Sequence, residues 1–160
     1  MSEITKLIKE LRDKTGAGFL DCKVAISESK NDLEKATEYL RKKGLAKASK
    51  KTSREANEGA VGIYSSDNLV IIIKVNSETD FAAKSETFLN FLDELGKIAI
   101  ENNDLNLQKD SFLKIKYNNG LVSDYFNSMI AKIGENLILN DLVVFKNNNN
   151  KFYFYIHNSY

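Results

Sequence analysis

The 160 residues hold one cysteine and one histidine, Cys22 and His157. A zinc site needs several such groups clustered, so none can be built from this sequence. The lone thiol cannot close an internal disulfide, which points to a reducing compartment. Charge of one sign is also missing. Lys+Arg 23 against Asp+Glu 22 leaves a net charge of +1, and no global pull toward nucleic acid or an anionic membrane follows. The longest apolar run, residues 69–73, is far too short to span a bilayer. The opening MSEITKLIKEL carries Glu3 and starts an amphipathic pattern at once, without the basic flank and apolar core of a signal peptide. A cytoplasmic location is expected.

Catalytic patterns are equally sparse. Neither GxxxxGK nor GxGxxG occurs, and Thr15-Gly16-Ala17-Gly18 lies between two predicted helices rather than after a strand, so it reads as a turn. Cys22 could pair with His157 as a nucleophile and base, but it sits in an apolar helical cluster, where a buried, inert thiol is the simpler reading. Glu34 and Glu38 are spaced for pairing on a helix surface, and Asp93 and Glu94 fall on the polar side of another helix. No enzyme activity and no cofactor is expected.

What is present is organised periodicity. Ile4, Leu7, Ile8 and Leu11 form one helical face, and Gly16 and Gly18 then reverse the chain. Phe19, Leu20, Cys22, Val24, Ala25 and Ile26 form a second apolar cluster. Asn31 or Asp32 can cap a third helix bearing Leu33, Ala36, Tyr39 and Leu40, with Gly44 at the position of a C′ glycine. Residues 1–45 therefore read as a three-helix bundle. Residues 46–58 are rich in lysine and poor in large apolar side chains, a solvated basic connector, helical in part. Lys42, Lys43, Lys47, Lys50, Lys51 and Arg54 could meet RNA phosphates, but no aromatics are interleaved for base stacking, so nucleic acid is not the expected partner.

The period then becomes that of strands. Residues 59–64 and 69–76 predict a β-hairpin, and the continuous Leu69-Val70-Ile71-Ile72-Ile73 predicts a central strand covered on both faces. A helix is expected over residues 84–101, a loop over 102–110, and another helix carrying Val122, Phe126, Met129, Ile130 and Ile133. Residues 143–145, an asparagine turn and residues 152–156 predict a second hairpin. The fold class is α+β: the bundle, then an antiparallel sheet packed with helices, with a core subdomain over 59–140. Residues 141–160 read as strands leading into a further, truncated subdomain. From Asp141 onward the uncovered edge is expected either to be mobile or to pair with a partner, self-association with a second copy included.

Two segments carry more than periodicity. In LRDKTGAGFLDCK, Phe19 and Leu20 follow two glycines at a helix start, where large apolar groups serve as core or as a docking edge. In VNSETDF, a strand ends in a polar turn. Thr79 or Asp80 there reads as an N-cap, and on the residues alone Phe81 is expected to tuck into the core.

At these segments the chain resembles the elongation factor Ts family. LRDKTGAGFLDCKVAI (residues 11–26) is similar to the family's first signature, VNSETDFAAKSETF (75–88) to its second, and AKIGEN (131–136) to a third, shorter pattern. The order and spacing agree along essentially the whole chain. The resemblance implies a bundle like that of ubiquitin-associated domains and a guanine-nucleotide exchange factor that makes the GTPase elongation factor Tu release GDP. It implies that Thr79, Asp80 and Phe81 of the TDF motif bind that GTPase, with Asp80 and Phe81 pushing into its nucleotide domain and disturbing the bound Mg²⁺. Arg12, Phe19 and Leu20 would lie against a helix of the same domain, and His157, in YIHNSY, would help reposition its phosphate-binding loop. Typical members continue through a second core subdomain, so the chain is expected to be a fragment. Two other readings compete: an interaction module whose bundle binds some other helix or tail, and an RNA-associated protein using the basic connector.

Overall fold

The computed structural model describes residues 3–146 and 152–156. Helix α1 (Glu3–Thr15) buries Ile8 and Leu11, while Ile4, in its first turn, remains half exposed. The chain reverses at Gly16, whose φ of +67° is left-handed and suits a residue without a Cβ. Helix α2 (Phe19–Glu28) turns Cys22, Ala25 and Ile26 inward. The second apolar cluster is therefore split, because Phe19, Leu20 and Val24 of the same helix face water.

Helix α3 (Leu33–Ser49) starts at Asp32, whose Oδ1 accepts from the backbone N–H groups of Glu34 and Lys35, both at 3.0 Å. The helix does not stop at Gly44, as the glycine suggested. It continues for five more residues, and a Cβ on Gly44 would stand 3.9 Å from the Cβ of Ala131, so this stretch of small side chains lies close to another helix. In consequence α3 serves two cores. Ala36 joins Ile8, Leu11, Cys22, Ala25 and Ile26 in the bundle, and Ala48 joins the core beneath the sheet. Lys43 and Lys47, on α3, pair with Asp21 of α2 at 3.0 and 2.8 Å, and these cations hold the Asp21 carboxyl below its ordinary pKa.

Strands β1 (Glu58–Ser65) and β2 (Leu69–Ser77) form the expected hairpin. Helix α4 (Asp80–Ala83) is a single turn, and α5 (Glu86–Asn102) follows from an N-cap at Ser85, which accepts from Phe88 N at 3.2 Å. The loop after α5 holds the one-turn α6 (Lys109–Phe112) and leads to two short paired strands, β3 (Lys116–Tyr117) and β4 (Gly120–Leu121). Periodicity could not show the latter, since two residues are too few to display a period. Helix α7 (Val122–Ile133) and strand β5 (Ile138–Lys146) complete the described elements.

The main sheet is antiparallel in the order β1-β2-β5, with β2 in the middle as expected. One face carries Ile71, Ile73 and Val75 of β2 with Leu142 and Val144 of β5, and packs on Phe88, Phe91, Leu95, Phe126 and Ile130. Tyr64 crosses from β1 to α5, where its hydroxyl donates to Asp93 Oδ1 at 3.1 Å. Its ring lies where a Cβ on Gly96 would be, so the glycine within α5 is required by close packing rather than by a turn. On the opposite face the row Ile63–Ile72–Val143 follows from the register, and Val143 and Phe145 remain exposed. Cover on both faces of β2 is thus complete on the helix side only.

The second predicted hairpin is not found. Residues 143–145 lie in β5, which pairs with β2 through Ile71↔Val144 and Ile72↔Val143, and residues 152–156 form no strand. The intervening asparagine turn lies outside the described residues. The β2 edge left free by β1 offers a complete set of ladder groups and an apolar neighbour, and that long-range pairing prevails over the local one. Among the described residues, no helix is long and apolar enough to cross a membrane, and no group of three or more His, Cys, Asp or Glu could hold a metal ion.

Candidate partner-binding site

The segment after β2 is shaped by its hydrogen bonds. Thr79 is the N-cap of α4, with extended φ and ψ of −126° and 155°, and its Oγ1 accepts from Ala82 N at 3.2 Å. Ser77 Oγ donates to the Thr79 carbonyl at 3.0 Å. With the turn so fixed, Ala82 and Ala83 point into the protein. Phe81 points out and is 84% exposed, which overturns the expectation that it tucks into the core. The N-cap expectation for Thr79 holds. An exposed phenylalanine forgoes on the order of 2 kcal/mol of apolar burial, so this placement does nothing for the fold of the chain by itself. Asp80 sits beside it, paired with Lys84 at 2.8 Å, and that ammonium lowers the Asp80 carboxyl below the usual aspartate range.

A second apolar edge lies on the bundle. Phe19 and Leu20 open α2 after Gly18, which supplies no side-chain cap, and Leu20 is 74% exposed. Val24, one turn along from Leu20, is exposed as well and extends the same stripe. Its i, i+4 spacing from Leu20 was the available signal, but membership of a dense apolar run masked it. Arg12 is exposed near the end of α1, and its carbonyl accepts from Gly16 N at 2.7 Å. Cys22 is buried behind this edge. Its thiol donates to the Ala17 carbonyl at 3.6 Å, and burial raises its pKa. Arg12, Phe19 and Leu20 therefore belong to one corner of the bundle, and Thr79, Asp80 and Phe81 to the end of β2. His157 lies outside the described residues.

A network that no local pattern signals supports the Thr79 turn. Glu78 Oε1 accepts from Asn136 N at 2.6 Å, and Glu135 accepts from both Thr79 N and Thr79 Oγ1, at 3.0 and 2.7 Å. Asn136 Nδ2 donates to the Arg54 carbonyl at 2.8 Å, and Arg54 Nη1 approaches Glu78 at 3.5 Å. Lys51 Nζ donates to the Gly134 carbonyl at 2.5 Å. With Lys47 on Asp21, three cations of the basic connector are thus engaged within the fold. A cleft of about 340 Å³ between α3 and the β3–β4 turn contains the Arg41–Asp124 pair and none of the expected site residues.

Two apolar edges thus protrude on separate mounts, Phe19 and Leu20 on the bundle and Phe81 after β2. A sequence model of the family described as Elongation factor TS matches residues 78–160, beginning within the turn just described. The chain is also similar to a protein of Chlorobaculum parvum named Elongation factor Ts, 44% identical over 164 residues. That match covers 98% of this chain and 56% of the relative, so the chain spans little more than half the length of the curated relative it matches.

Proposed function

This chain belongs to the elongation factor Ts family, and we propose that it acts as a guanine-nucleotide exchange factor, binding elongation factor Tu and promoting release of its GDP. The single observation that carries this reading is Phe81, mounted on a hydrogen-bonded turn and 84% exposed. Mg²⁺ bridges phosphate oxygens and offsets their charge, so disturbing it weakens the hold on a nucleotide. An aromatic wedge that finds its apolar contact only in the displaced state couples factor binding negatively to GDP binding, and the coupling is reciprocal. Asp80 competes for hydrogen bonds next to the wedge. The reaction makes and breaks no covalent bond. A cytoplasmic location belongs to the same proposal, as does the reading of residues 1–45 as a ubiquitin-associated-like bundle, 46–58 as connector and 59–140 as core subdomain. His157, as a residue acting on the phosphate-binding loop, rests on the resemblance alone.

The test is direct: elongation factor Tu loaded with a fluorescent GDP is mixed with the chain, and release is followed. Accelerated release supports exchange, binding without release supports a docking module, and salt-sensitive RNA binding alone supports the connector reading. The bundle edge is expected to supply affinity. Leu20→Ala removes an exposed anchor and should raise the half-saturating concentration about tenfold or more while leaving the maximal rate within about twofold, the pattern of lost uniform binding. A lowered maximal rate at unchanged half-saturation would reject the docking role.

A second reading concerns self-association. Among the described residues β5 pairs only with β2, and Val143 and Phe145 are exposed on the open face. An unpaired strand edge beside apolar side chains is a template for another strand, here that of a second copy. Sedimentation equilibrium should show a concentration-dependent dimer, and a monomer at every concentration would reject it.

A further inference from the structure

We propose that Glu135 is a positioning residue for Phe81: its carboxylate holds the Thr79 turn, so that the aromatic ring is presented in one orientation. The inference rests on the exchange reading and names a residue to which that reading gives no role. It begins from the size of α4, which is a single turn. One helical turn fixes several dihedral angles for very few hydrogen bonds, so it does not hold its own direction. Something outside the segment must.

Glu135 meets that need from the far side of the chain, 56 residues away. One carboxylate oxygen accepts from Thr79 N at 3.0 Å and the other from Thr79 Oγ1 at 2.7 Å. The same hydroxyl oxygen accepts from Ala82 N, so a single side chain joins the carboxylate to the helix that bears Phe81. The bonds are charge-assisted and two-pronged, which adds geometric definition to strength. The reverse exchange is present too, since Glu78 accepts from Asn136 N at 2.6 Å. Each segment thus holds the backbone of the other through an acidic side chain.

The mount is itself anchored. Gly134 ends α7 in a left-handed conformation, φ +86°, which turns the chain so that Glu135 and Asn136 can meet residues 78 and 79. Lys51 caps the Gly134 carbonyl, and Asn136 Nδ2 reaches the Arg54 carbonyl. At its other end α7 meets the bundle through Arg41 and Asp124, 3.4 Å apart. A wedge inserts at lower entropic cost when it is already oriented, and because it makes its apolar contact only in the displaced state, the loss of Glu135 should lower the maximal effect of the bound factor more than its affinity.

Glu135→Ala and Glu135→Gln in the intact chain test this with two measurements. Amide hydrogen exchange of the free protein should show Thr79 N–H exchanging about tenfold faster or more in Glu135→Ala, the scale of losing a hydrogen bond to a charged group, with Glu135→Gln in between. In the release assay the maximal rate should fall about tenfold and the half-saturating concentration should stay within about twofold. In a Phe81→Ala background, Glu135→Ala should add no further loss. Unchanged Thr79 exchange, an unchanged maximal rate, or an equal loss without Phe81 would each overturn the proposal. A parent chain without release activity would sink the exchange reading, and Thr79 exchange would still decide whether Glu135 holds the turn.

Discussion

Phe81→Ala is expected to lower stimulated GDP release at least about 30-fold while leaving the melting temperature where it was. The ring is 84% exposed, and its neighbours Ala82 and Ala83 already make the inward contacts of α4. Truncating a side chain that covers nothing changes stability by no more than about 0.5 kcal/mol, which for a chain of this length is a shift of about 2 °C or less. The functional loss should be much larger. Exposed aromatics that become fully buried in a partner are the side chains whose removal costs about 2 kcal/mol or more, at least about 30-fold in the coupled equilibrium. The paired measurement is a thermal melt and a release assay on the same preparation. A melting temperature lowered by several degrees would show that the ring packs within the fold, and undiminished release would show that the wedge lies elsewhere.

Phe91→Ala should do the opposite. Phe91 is 1% exposed and lies edge-on to Tyr125 and Phe126, with ring centroids 5.1 and 4.8 Å away. Its removal opens a cavity where α5, α7 and the sheet meet, and such truncations cost about 3–5 kcal/mol. Against a total of about 5–15 kcal/mol this lowers the melting temperature by about 10 °C or more. The same cavity frees the ring of Tyr125, whose hydroxyl is pushed by burial up to about 12. Spectroscopic titration of the variant, folded at low temperature, should therefore find that tyrosine closer to its ordinary pKa of about 10. A variant that melts like the parent would mean that the aromatic cluster is not the centre of this core.

The two phenylalanines define how far local pattern reaches. Phe91 sits at a helical spacing from Phe88 and Leu95, and its burial could be read directly from the 3.6-residue period. Phe81 stands in a four-residue helix, where no period exists, and simple hydrophobicity placed it inside. Phe19, Leu20 and Val24 show the same limit on a longer helix. Their run spreads apolar residues over more than one side of the helix, and periodicity cannot say which side a second helix will cover. The family resemblance supplied the two protruding segments, but not the carboxylates that shape one of them.

By itself the sequence determined the helices α1, α2, α3, α5 and α7, the β1–β2 hairpin and the central place of β2. These are properties of near neighbours, set by spacing, capping and composition. Only the tertiary structure decided that α3 runs through Gly44 to join two cores, that β5 pairs with β2, that Phe81 faces water, and that Glu135 holds Thr79. Each of these depends on what arrives from far along the chain. A strand's alternation specifies its faces but not its partner, and a carboxylate's chemistry specifies that it will accept hydrogen bonds but not from whom.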